Sequence, residues 1–207
     1  MTPLAALDFA AVVVFAISGA LAASRAQLDI VGFAFIACLT AVGGGTLRDV
    51  LLNRDQVFWI AEPSYILIAC LVAFLLFFTA HLFESRLKAL EWADAVALST
   101  AVAAGAGVAM QLGQPPVIVA LMAVATGCFG GLMRDVVCNE VPLILKQGEL
   151  YASAALAGGL ALLTANYFDA PRIAEFSICA AVTFVLRAGS MLWGWSLPVY
   201  KSRPPKP

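Results

Sequence analysis

The chain has 207 residues, of which 12% are charged and 62% hydrophobic, and a formal net charge of −1. A soluble domain carries about 25% charged residues, and the apolar excess here would stand in water as aggregating patches. The mean hydropathy of +0.94 selects lipid as the solvent, and the near-zero charge removes the basic field that binding nucleic acid requires.

A bilayer crossing takes about 20 apolar residues. In chain order, seven stretches reach or approach that length: 5–24, 28–47, 64–83, 92–110, 115–133, 149–168 and 174–195. The first lacks a basic leading segment, so it reads as a span and not as a cleaved signal. Breakers fall between spans: Glu62-Pro63 before the third, Pro115-Pro116 opening the fifth, Asp169-Ala170-Pro171 after the sixth. The end, KSRPPKP, is polar and proline-rich and reads as a disordered tail over 197–207. The expected class is an all-α membrane protein of seven transmembrane helices.

The second span ends in GGGTLRDVLLN (43–53) and the fifth in GGLMRDVVCN (130–139). One gapless shift of 86 residues aligns them. It also carries Asp8 onto Asp94, Gly19-Ala20 onto Gly105-Ala106, Thr40 onto Thr126, Asn53 onto Asn139 and Tyr65 onto Tyr151. Each copy holds three spans, an odd number, so the second copy is expected inverted relative to the first. The organisation is then 1–89 for the first repeat, 90–172 for the second and 173–196 for an added seventh helix.

Glycine costs about 1 kcal/mol in a helix relative to alanine. The clusters Gly43-Gly44-Gly45 and Gly130-Gly131 therefore predict helices that break or kink, with freed carbonyls facing water or protein. Such carbonyls replace part of a cation's hydration shell in other pores. Arg48 and Arg134 follow one turn later. A buried arginine needs a partner or water. Each arginine's sequence neighbour, Asp49 or Asp135, points about 100° away round the helix, so cross-repeat pairing is expected, Arg48 with Asp135 and Arg134 with Asp49. Alternatively, these charges snorkel and only fix topology. Asn53 and Asn139, one turn on, are weaker candidates. Asp8 and Asp94 read as first-turn residues, placed either by the helix dipole or as cation-attracting groups at two pore mouths. The small-residue runs Ser18-Gly19-Ala20, Gly105-Ala106-Gly107 and Gly158-Gly159 read as helix-packing surfaces.

Arg187 lies deep in the seventh span and is a candidate for a polar, gating or lipid-headgroup contact. His81 reads as interfacial, and Trp59, Trp92, Trp193 and Trp195 as aromatic belts. The five cysteines are scattered among apolar residues and, with one histidine, build no metal site. No catalytic set is present in the sequence, so no enzyme and no cofactor are expected. Arg25, Arg86, Lys88, Lys146, Lys201, Arg203 and Lys206 fall in loops on one side against Arg54 and Arg172 on the other. The bias places the C-terminus in the cytoplasm and the N-terminus outside.

Two three-span repeats with GGGTLRDVLL and GGLMRDVVCNEVP, plus a seventh span, resemble the trimeric intracellular cation (TRIC) channels in their prokaryotic branch, over about residues 5–195. The resemblance implies a homotrimer with one pore per protomer, lined by the second and fifth helices kinked at their glycines. It implies monovalent cations, potassium above sodium, as the permeant species, and a prokaryotic cell (inner) membrane as the location. Carried onto this chain, the pore positions are Gly43, Gly44, Gly45, Arg48, Asp49, Gly130, Gly131, Arg134 and Asp135. The expected partners are copies of itself and membrane lipids. Eukaryotic members use a lysine-containing motif for phosphoinositide lipid, which is absent from this sequence. Two other readings stay open: a secondary transporter of a small neutral amino acid such as glycine, and a scaffold whose charges only hold helices together.

Overall fold

A computed structural model describes residues 2–83 and 85–199. Of the tail expected from residue 197, positions 200–207 lie outside the described residues, as do Lys201, Arg203 and Lys206 of the charge bias. The described residues form eight α-helices: α1 (Pro3–Arg25), α2 (Ile30–Leu51), α3 (Phe58–Ala61), α4 (Ser64–Thr79), α5 (Arg86–Gln111), α6 (Pro116–Val137), α7 (Ala152–Tyr167) and α8 (Arg172–Trp193). A 3₁₀ turn, Ala80–Leu82, prolongs α4.

Six of these segments are long and apolar enough to cross a membrane: α1, α2, α4 with its 3₁₀ turn, α5, α6 and α8. The sixth stretch expected from the sequence forms α7, a helix of only 16 residues. Residues 149 to 151, which were to begin it, instead form an isolated bridge and a bend before the helix. The four-residue α3 was not expected at all. It is too short to carry a periodic pattern.

Helix ends follow local chemistry. The side chains of Thr2, Asp29 and Ser85 accept from backbone N–H groups at the starts of α1, α2 and α5. Prolines open α1 and α6, where a missing N–H costs nothing. Asn53 and Asn139 sit just past α2 and α6 with φ of 49° and 55°. Their N–H groups donate to Val50 and Val136, and the next N–H groups donate to Asp49 and Asp135. This is a left-handed helix stop, which asparagine tolerates better than branched residues. Both are exposed, and their fold role is termination.

The core is built from small residues. α1 and α5 lie side by side at the centre, α2 and α4 pack on α1, and α6, α7 and α8 pack on α5. Runs of alanine, glycine and serine on α1 and α5 are fully buried, which lets backbones approach without a hydrophobic drive from water. A Cβ on Gly19 would stand 2.7 Å from the Thr40 hydroxyl, and one on Gly105 2.5 Å from that of Thr126. α4 is the least buried span and carries Leu67, Leu71, Phe74, Leu75 and Phe78 outward, as a lipid-facing helix would.

α2 and α6 run unbroken through their glycines, so the expected helix breaks are corrected. The glycines serve contact instead. A Cβ on Gly44 would collide with the carbonyl oxygen of Thr126, and one on Gly130 with that of Thr40. Pairing 44 with 126 and 40 with 130 means the helices cross antiparallel.

Candidate functional site

Past this crossing, on opposite sides of it, each helix ends in a buried arginine. Arg48 is fully buried. Its Nη1 donates to Asp8 Oδ1 at 3.0 Å and its Nε to Asp49 Oδ1 at 2.7 Å. Asp49 is held further by Arg54 Nη1 at 3.2 Å and by the Phe58 backbone N–H, which donates to Oδ2 at 2.8 Å. The Arg48 guanidinium lies 5.5 Å from the centroid of the Phe58 ring.

The second half repeats the pattern 86 residues on. Arg134 is fully buried. Its Nη1 donates to Asp94 Oδ1 at 2.7 Å and also to Ser18, and its Nε donates to Asp135 Oδ1 at 2.8 Å. Arg134 Nη2 also lies 2.7 Å from Asp135 Oδ1, but without the alignment of a hydrogen bond. Asp135 Oδ2 accepts from the Leu143 backbone N–H at 2.8 Å. Two carboxylates around each guanidinium satisfy a charge that lipid or a dry core would reject.

These contacts correct both pairing expectations. Arg48 does not meet Asp135, nor Arg134 Asp49. In the antiparallel crossing, facing residue numbers add to 170, so Arg48 lies level with Met122, thirteen residues and roughly 20 Å along the axis from Asp135. The adjacent Arg and Asp do bond. The direction of Cβ placed them apart, yet the long arginine side chain folds back far enough for Nε to reach its neighbour. Asp8 and Asp94 are not first-turn residues either. Asp8 is the sixth residue of α1 and Asp94 the ninth of α5, whose helix begins at Arg86. Neither is placed by the dipole of the first turn; each is placed by its arginine.

The halves differ in access. A vestibule of about 290 Å³, lined by Asp8, Arg54, Phe58, Glu62, Tyr65 and Gln111 among others, opens on the Asp8 side. A separate chamber of about 10 Å³ shares Asp8 and Phe58 in its lining and touches Phe15, Gly44, Gly45 and Thr126. That is about the room one water needs. The Asp8 side chain is 15% exposed, whereas Asp94 is sealed, with Tyr151 donating its hydroxyl to Asp94 Oδ2 at 2.7 Å.

Arg187 is fully buried on α8. It reaches Glu149 Oε2 with Nη1 at 2.6 Å and lies 5.2 Å from the centroid of the Tyr151 ring. The lipid-headgroup alternative is therefore corrected: the side chain points into the protein. Phe58, Tyr65, Tyr151, Ser18 and Glu149 were given no part in the site by the sequence. The 86-residue register did align the tyrosines, but it carried no sign of the carboxylate that Tyr151 serves.

A family model described as Glycine transporter matches the chain twice, over residues 5–81 and 91–167, two segments offset by the same 86 residues. The inner membrane protein YadS of Escherichia coli K12 is 35% identical over 199 residues, 94% of each chain. Among solved structures, the TRIC trimeric intracellular cation channel orthologue from Rhodobacter sphaeroides superposes with a TM-score of 0.91 and 43% identity, over 94% of this chain and all of that one. The chain belongs to the TRIC family, in its prokaryotic branch. A prokaryotic TRIC channel in 0.5 M KCl matches with a TM-score of 0.85 and 30% identity, over 94% of this chain and 98% of that one. With the TRIC fold, the apolar helices described above are those of a multi-pass membrane protein.

Proposed function

We propose that this chain is a monovalent cation channel, potassium-preferring, with one pore in each protomer of a homotrimer. Cations pass without a cofactor along a route between α2 and α6. Gly43, Gly44, Gly45, Arg48 and Asp49 line it in one half, and Gly130, Gly131, Arg134 and Asp135 in the other. Asp8 and Asp94 are the carboxylates that balance the two arginines. The observation that carries this reading is the vestibule that ends on Asp8 above the crossing of α2 and α6. A route that narrows to the width of one water beside a carboxylate suits a small cation. The solved relatives named as TRIC cation channels support the same reading.

In this reading the two halves are inverted repeats, and α7 completes seven crossings. The membrane is the bacterial inner membrane, with the N-terminus and the vestibule outside and the C-terminus in the cytoplasm. Lipids surround the trimer, and no nucleic acid takes part. In this reading the conformation described is the closed one, its chamber having room for about one water.

A second reading, a transporter of a small zwitterion such as glycine, draws on the opposite charges in the vestibule, Asp8 and Glu62 facing Arg54, and on the description carried by the family model. Proteoliposomes separate the two. A channel gives rubidium tracer uptake that does not saturate and is untouched by glycine. Saturable glycine counterflow with no cation flux would reject the channel reading in favour of the second.

A further inference from the structure

The shift of 86 also maps the vestibule. Its lining residues Thr2 and Ala5 correspond to Lys88 and Glu91. A groove of about 380 Å³ lined by Lys88, Glu91, Trp92, Glu149 and Ser190 lies at that position in the second half. The two are counterpart mouths. One reaches its carboxylate, Asp8. The other stops short of Asp94.

Arg187 stands in the gap. It comes from α8, the one long helix outside the repeat, so the first half has nothing equivalent. Its Nη1 holds Glu149 on the groove wall, while its guanidinium covers the ring of Tyr151, whose hydroxyl is bound to Asp94. Arg187 Nε and Nη2 have no partner among the described residues. A fully buried arginine left with unsatisfied donors is expensive, and Arg187 leaves two such donors where Arg48 and Arg134 leave one each, their Nη2. The same stretch of chain is tied once more to α8 and once to the residues that follow it. The Leu150 N–H donates to Ser190 Oγ at 3.0 Å, and Glu149 pairs with Ser196 as an antiparallel bridge.

We infer that Arg187, locked on Glu149, is the latch that closes the second mouth of the pathway. While latched, its side chain fills the way to Asp94 and sets a positive charge in the path of a cation. When Glu149 releases it, the two free donors turn to water in the groove, the ring of Tyr151 is uncovered and Asp94 is reached. α8 is then the element through which the added helix controls the repeated core. The reading rests on the channel function proposed above.

Glu149→Gln tests it, because the change keeps the shape and removes the charge that holds Arg187. In single-channel recordings the expected result is an open probability raised about fivefold, the scale of one partly exposed ion pair, with conductance per opening unchanged. Arg187→Gln, checked for trimer elution and thermal stability, is expected to open in the same way. Hydrogen exchange of residues 149–151 and 187–190 in detergent reads the latch without any current. Faster exchange in Glu149→Gln is expected even if no ion flows. Wild-type exchange in both variants overturns the latch, as does wild-type gating in both. Absence of current in every protein, with faster exchange in the variants, rejects the channel reading and leaves the latch standing.

Discussion

Arg134 and Arg48 are the same residue in two copies, but they sit in different surroundings. Arg134 and both its carboxylates are cut off from solvent, or nearly so, while Asp8 beside Arg48 opens on the vestibule. Removing one member of a buried ion pair leaves its partner charged and dry, at a cost of about 3–5 kcal/mol. Arg134→Ala is therefore expected to lose stability on that scale. Arg48→Ala loses less, because water in the vestibule can solvate Asp8. Thermal unfolding of both variants in one detergent gives the comparison, and equal melting temperatures would contradict the difference in burial. The sequence made the arginines legible as buried and needing carboxylates. It could not choose among the carboxylates, because Asp8 and Asp94 lie 40 residues before their arginines and only the packing of α1 on α2 and α5 on α6 brings them near.

At the scale of helices, the glycines act by contact and not by breakage. Gly44→Ala and Gly130→Ala each drive a methyl group into a backbone carbonyl of the partner helix, which has no rotamer with which to yield. Each is expected to cost about 1–3 kcal/mol and to separate α2 from α6. Thermal stability and the distance between spin labels on the two helices follow it; a wild-type melting temperature with an unchanged distance would sink the contact account. Asn53 and Asn139 make an independent element-scale case. Valine at either, forced to positive φ, is expected to cost about 1–2 kcal/mol, while glycine is neutral within a few tenths. Helix breaks were misread because glycine's low propensity is a local quantity, whereas a membrane offers no water to replace the lost backbone bonds. The helix persists, and the missing side chain is used for approach. α7 falls short of the expected span by residues 149 to 151 at its start and Phe168 at its end, a difference of ends that hydropathy alone does not resolve.

For the whole molecule, the 86-residue register was the most informative feature of the sequence. It anticipated that arginine, aspartate, tyrosine and asparagine would recur as sets, and the structure gathers Arg48, Asp8 and Asp49 just as it gathers Arg134, Asp94 and Asp135. What it could not anticipate is the asymmetry that α8 imposes, since that helix has no copy against which to be compared. The account makes the two mouths unequal, with the route entered readily from the Asp8 side and closed by Arg187 on the other. Its central claim is that cations pass through each protomer along this route. Recordings of the purified protein in a planar bilayer under a KCl gradient test that claim most directly. The account predicts unitary openings whose reversal potential lies near that of potassium. A silent bilayer or a reversal potential near that of chloride would contradict it.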